Sequence, residues 1–240
     1  MRVTNTNDVE AKSINALIYG EAGSGKTTLA STAVRVIIIS AEGGLLSLAG
    51  EDIRVLEVAN VADVREAYKF CLDEANPVQE GIDLWVIMDS MTEVAEKCLA
   101  QAKRVHNDPR AAYLETQETM MGLLRAFRDA PFHFVSIAQL GRVADTDGLV
   151  YGPALPGRKL EGKVPYLFDL VLPLRVRKDK EGDIHRWLQT QPDGRWQAKS
   201  RTPSGIVLPA EMEPDLEKLA LYATGKKKLK KQRKQPPKEA

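Results

Sequence analysis

The sequence predicts an α/β fold, a mainly parallel sheet with helices on both faces and a C-terminal antiparallel hairpin. Three observations predict it. Short apolar runs alternate with stretches of helical spacing over the first two-thirds of the 240 residues. Most of those runs are largely apolar rather than alternating with polar residues, as strands are when both sheet faces are covered. Several end in Gly20, Asp89 or Gln139, which puts polar chemistry at the C-terminal strand ends, where parallel sheets bind ligands.

The elements follow in order. Residues 1–13 are a polar lead-in. Residues 14–19 (INALIY) read as a buried strand ending at Gly20, and 26–33 as the helix after it. Residues 34–40 (VRVIIIS) form a β-branched strand, 53–58 (IRVLEV) an alternating one, and 63–74 a helix. Residues 83–89 (DLWVIMD) are a strand with a terminal carboxylate. Helices are expected over 90–105 and 111–129, broken around Asn107-Asp108-Pro109. Residues 132–138 (FHFVSIA) are a further strand. Residues 141–165 hold five Gly and three Pro without a period, and read as a long mobile loop. Strands at 167–177, 184–190 and 195–199 follow, with a turn at 191–194, then a closing helix at 214–224. The domain is expected to span 14–224.

The formal charge of +1 is unevenly spread. Residues 226–240 carry +7 and the other 225 residues −6. Such a like-charge run ending in Pro-Pro cannot bury a core, so 225–240 read as a disordered basic tail, either a nucleic-acid contact or a solvated end. No apolar run is long enough to cross a bilayer and the start has no secretory h-region, so a cytoplasmic protein is expected. Cys71 and Cys98 read as small core residues. His106, His133 and His185 lack ligand spacing, so no zinc site is expected.

The chemistry concentrates at Gly20-Glu21-Ala22-Gly23-Ser24-Gly25-Lys26-Thr27, a full G-x-x-x-x-G-K-[ST] motif between a strand and a helix. Its glycines let successive N–H groups point inward at phosphate oxygens, and the helix N-terminus adds positive charge. Gly20 to Thr28 are therefore expected to bind a nucleoside triphosphate, with Lys26 on the β- and γ-phosphates and Thr27 on Mg²⁺. Asp89 ends its strand as a metal-holding carboxylate should, although an Asp there also suits an N-cap. Ser90, not Glu, follows it. The candidate general base is therefore Glu42, at the end of the neighbouring run, and Gln139 is placed to sense the γ-phosphate. Glu42 as a turn residue and Gln139 as loop polarity are the plainer readings.

Taken together, IIISAEGGL, WVIMDS and FVSIAQLGR after the phosphate loop resemble the RecA-type ATPase core. The match runs over residues 14–222, with Ser40 replacing the Asp usual two residues before the Glu. Size and ending look most like the phage-encoded minimal RecA-like proteins of single-strand annealing and recombination, also described as phage nucleotide-binding proteins. The resemblance implies a P-loop NTPase using ATP and Mg²⁺, with Glu42 activating water and Gln139 coupling nucleotide state to the next loop. Lys199-Ser200-Arg201 is similar to the K-x-R motif of RecA-type ring helicases, which reaches the neighbouring subunit's γ-phosphate. That implies a homo-oligomer, ring or filament, with Lys199 and Arg201 completing sites between subunits. Two exposed basic residues on a strand end are the alternative.

Single-stranded DNA is the implied partner, with a single-strand-binding or replication protein beside it, in the host cytoplasm if the chain is phage-encoded. Arg142, Tyr151, Arg158, Lys159 and Lys163 in the Gly-rich segment combine basic groups with an aromatic, as sequence-tolerant strand binding requires. Arg104 and Arg110 mark a second basic connection. Asp145, Asp147 and Glu161 dilute the charge, and ordinary solvated loops would look alike. Two other function classes begin with the same loop: a helicase loader or other nucleotide-dependent partner-binding module, and a small-molecule kinase.

Overall fold

The structure, a computed structural model, describes residues 13–75, 84–145 and 148–226. The polar lead-in to residue 12, Asp83, Asp147 and the basic tail from 227 lie outside the described residues.

The central strands are apolar because both their faces are covered. β1 (Asn15–Gly20) is buried along its whole length. It sends Leu17 and Tyr19 to one core and Ala16 and Ile18 to the other. β2 (Val36–Ser40) and β4 (Trp85–Asp89) divide in the same way. The first core is closed by α1 (Val61–Glu74), α2 (Met91–Val105) and α3 (Pro109–Arg128). Phe127 of α3 anchors it against Phe134, with ring centroids 4.9 Å apart. The second core is closed by α5 (Leu216–Ala223) and a short helix at Thr27–Thr32.

Strand order positions the chemistry. β3 (Arg54–Glu57), β2, β4, β5 (His133–Asp145), β1 and β7 (Leu170–Lys178) are adjacent and parallel in that order. β8 (Ile184–Gln189) continues antiparallel to β7, the expected C-terminal hairpin, and β10 (Glu211–Met212) follows at the edge. Gly20 is level with Gln139, and Ser40 with Asp89. The polar strand ends therefore share one edge.

Three local expectations are corrected. The segment after the phosphate loop is a six-residue 3₁₀ helix, not a regular α-helix. Ser31 and Thr32 hydroxyls bond back to the carbonyls of Thr28 and Leu29, which competes with α-helical pairing. Residues 141–165 are not a structureless loop. β5 runs on to Asp145 and pairs with β6 (Gly148–Pro153), and α4 (Arg158–Lys163) follows. The strand expected at 195–199 is reduced to β9 (Lys199–Ser200), paired with β7, and a single bridge from Trp196 to Tyr151. Trp196 instead packs in a stack with Tyr151 and Arg175.

Candidate functional site

The phosphate loop leaves β1 at a point that only glycine fits. A Cβ on Gly20 would lie 2.7 Å from the Leu174 carbonyl oxygen. Gly23 and Gly25 take φ of 74° and 98°, the left-handed region that suits glycine. Ser24 Oγ is buried with no hydrogen-bond partner among the described residues. Lys26 Nζ donates to the Gly20 and Glu21 carbonyls at 3.0 and 2.7 Å, leaving one of its three donors. This cradle of curled backbone, an orphaned hydroxyl and an ammonium with one donor left fits a polyphosphate.

Thr27 and Asp89 meet from elements 62 residues apart. Thr27 Oγ1 donates to Asp89 Oδ2 at 2.6 Å. A hydroxyl and a carboxylate are hard oxygen donors, and so fit Mg²⁺. Ser90, not Asp89, caps α2, accepting from the Glu93 N–H at 3.3 Å. Asp89 is thereby left free to face Thr27. Burial pushes the Asp89 carboxyl above its usual range, against the Thr27 hydrogen bond, and Glu42 and Lys26 act in opposite directions. Burial also lowers the Lys26 pKa, while Asp89, Glu42 and Glu21 oppose that shift.

Glu42 lies just past β2 and is exposed. Its Oε1 accepts from the Gln139 side-chain amide at 3.1 Å and from the Ser90 hydroxyl. Both bonds fall on Oε1, so Oε2 remains an acceptor toward solvent. Lys97 on α2 donates to the Ala41 and Val58 carbonyls, fixing the strand ends from which Glu42 projects. Thr92 accepts from the Gln139 N–H at 3.0 Å and donates to the Ala154 carbonyl at 2.9 Å. Ser90, Thr92 and Lys97 were not singled out by the sequence. The signal available was only polar spacing along one face of α2.

The remaining expected residues separate. Lys199 and Arg201 lie at the opposite end of the sheet. Ser200 pairs with Leu170, which is level with Ala16, and Arg201 N bonds the Asp169 carbonyl. Lys199 is committed to the Pro165 and Phe168 carbonyls, and Arg201 pairs with Asp169 at 3.0 Å. At about 3.3 Å per residue they stand some 10–16 Å from the level of Gly20, so they do not join their own chain's site.

The basic residues form two groups. Arg142 of β5 lies 5.6 Å over the Tyr151 ring, whose centroid is 4.6 Å from that of Trp196. Tyr151 is thus held between Arg142 and Trp196. Arg110, Arg158 and Lys159 instead line a groove of about 470 Å³ with Tyr113, joining the two basic segments of the sequence. Tyr113 is 42% exposed there, with Lys103 Nζ 5.8 Å from its ring centroid. Arg104 and Lys163 are exposed at the ends of α2 and α4. Buried His133 joins the backbone network, its Nδ1 accepting from the Ile14 N–H at 3.0 Å. Cys71 is a free buried thiol that burial pushes up to about 12.

A parallel sheet with a phosphate loop, an Asp-bearing strand and a Glu–Gln pair along one edge defines a P-loop ATPase domain. The chain belongs to the AAA domain family AAA_24, whose profile matches residues 12–202. A solved structure of another protein's ATPase domain is similar at 14% identity over 80% of this chain and 78% of that chain, with a TM-score of 0.46. No curated protein matches the chain. No helix among the described residues is long and apolar enough to cross a membrane.

Proposed function

We propose that the chain is a Mg²⁺-dependent ATP hydrolase of the RecA-like type that acts on single-stranded DNA in phage recombination or annealing, as an oligomer with ATP sites between subunits. The observation that carries this reading is the Glu42–Gln139 hydrogen bond of 3.1 Å. It joins Glu42, the general base of this reading, to the strand that runs directly into the Arg142 hairpin.

In this reading Lys26 turns its third donor to the γ-phosphate, and the inward N–H groups of residues 23–28 hold the rest of the chain of phosphates. Thr27 and Asp89 hold Mg²⁺, which when bound neutralises charge on the phosphate oxygens. Glu42 Oε2 accepts a proton from the attacking water, and Ser90 and Gln139 fix the carboxylate through Oε1. A change at Gln139 then passes along β5 to Arg142 and, through Thr92, to Ala154 ahead of α4. Strand binding in the Arg110–Arg158 groove is placed to be felt at the same bonds.

The test is steady-state ATP turnover with and without single-stranded DNA. Stimulation of several-fold or more is expected, and lost on substituting both Arg110 and Arg158 with Ala. Equal rates with and without DNA, in oligomeric protein, would count against the DNA-dependent reading.

A further inference from the structure

Arg186 touches the phosphate loop from a strand that the loop motif gives no reason to expect. Its Nε donates to the Ser24 carbonyl at 3.1 Å, across 162 residues of sequence. Register explains the approach. Leu188 pairs with Leu174 and joins the core under residues 27–32, so Arg186, two residues earlier on the same face, stands beside the loop. Gly25 makes room for it, since a Cβ there would lie 3.4 Å from Arg186 Nε and 3.6 Å from its Cδ.

The charge of Arg186 is unspent. Among the described residues Arg35, Arg54, Arg128, Arg175 and Arg201 each pair with a carboxylate. Arg186 does not, and it is exposed, so its two terminal nitrogens are free. A planar guanidinium with two free donors, held at the rim of a phosphate cradle, suits oxygens of a phosphate chain.

We infer that Arg186 is a nucleotide-contacting residue that supplies a second cation, from the same chain as Lys26, to the phosphate chain of the bound nucleotide. The inference rests on the phosphate-loop reading of Gly20–Thr27. It differs from the Lys199–Arg201 proposal in placing a guanidinium on the site without a neighbouring subunit. Ser24 O serves as the hinge that aims the side chain.

The experiment is calorimetric titration of the full chain with MgADP and, separately, with inorganic triphosphate, at two salt concentrations. Arg186→Ala is expected to raise both Kd values by about 10–100-fold, the loss of a charge-assisted contact. The salt dependence of Kd should fall as well. Arg186→Lys should recover part of both, and Arg186→Gln, which keeps a donor for Ser24 O without the charge, should not. Unchanged Kd in Arg186→Ala would overturn the inference. So would full recovery by Arg186→Gln with unchanged salt dependence, which would make Arg186 a prop for the loop. Lys26→Ala serves as the reference: if it too binds MgADP normally, the phosphate-loop reading fails, not only the role of Arg186.

Discussion

Asp89 is a buried carboxylate whose charge is supported, among the described residues, by Lys26 and the Thr27 hydroxyl. Its raised pKa makes protons compete with Mg²⁺ at higher pH than at an exposed Asp. MgATP affinity is therefore expected to fall as pH is lowered through that raised value, measured by titration calorimetry, and Asp89→Asn should remove the fall along with the Mg²⁺ dependence. The same shift fixes a stability sign. The folded chain binds this proton more readily than the unfolded chain, so stability falls as pH rises through the folded pKa and the cost is fully present above it. Asp89→Asn is accordingly expected to raise Tm at neutral pH by up to a few degrees, where about 1 kcal/mol corresponds to 2–4 °C. Such a gain with lost function marks a site residue held against its own preference. The phosphate loop, Asp89, Glu42 and Gln139 were all readable because each ends an apolar run in the sequence. Ser90, Thr92, Lys97 and Arg186 were not, because their partners arrive through strand pairing and helix packing that no local pattern encodes.

At the scale of elements, α2 is the clamp of the site. Its N-cap Ser90 holds Glu42, Thr92 holds Gln139 and Ala154, and Lys97 holds the ends of β2 and β3. Thr92→Val keeps the shape and strips both hydrogen bonds, stranding the Gln139 N–H. Each stranded group costs about 1–3 kcal/mol, so a Tm lower by several degrees is expected in thermal melts. DNA stimulation of turnover should fall with it. In the core, Phe127→Ala empties space between α3 and β5 and is expected to cost about 3–5 kcal/mol in denaturant unfolding. The parallel sheet was legible from its apolar runs, since burial on both faces removes the polar alternation. The β5–β6 hairpin was not. Its Gly and Pro content reads as loop, yet Gly141 and Gly152 face each other in register where side chains would crowd Ala154, Val143 and Gln197. The helix after the phosphate loop was overestimated because its Thr and Ser hydroxyls bond their own turn.

For the whole molecule, the edge that carries the phosphate loop and the edge that carries Arg201 lie at opposite ends of β1 and β7. A residue at one end reaches a nucleotide at the other only across a subunit boundary. The proposed intersubunit sites therefore require a head-to-tail arrangement of subunits. Arg201→Ala protein is then expected to regain part of its turnover when mixed with Glu42→Gln protein, each supplying what the other lacks, and no gain in the mixture would argue against shared sites. Lys199 is the weaker half of the pair, because its ammonium is already used on the Pro165 and Phe168 carbonyls.

Hydrolysis, as proposed, depends on Glu42. The measurement that tests it most directly compares MgATP binding and steady-state ATP turnover in the wild-type chain and Glu42→Gln. The amide keeps the shape and the hydrogen bonding to Ser90 but cannot take a proton. Binding within about threefold of wild type is expected, with turnover lower by about 100-fold or more, the scale of a lost general base. Turnover equal to wild type, with binding intact, would contradict it.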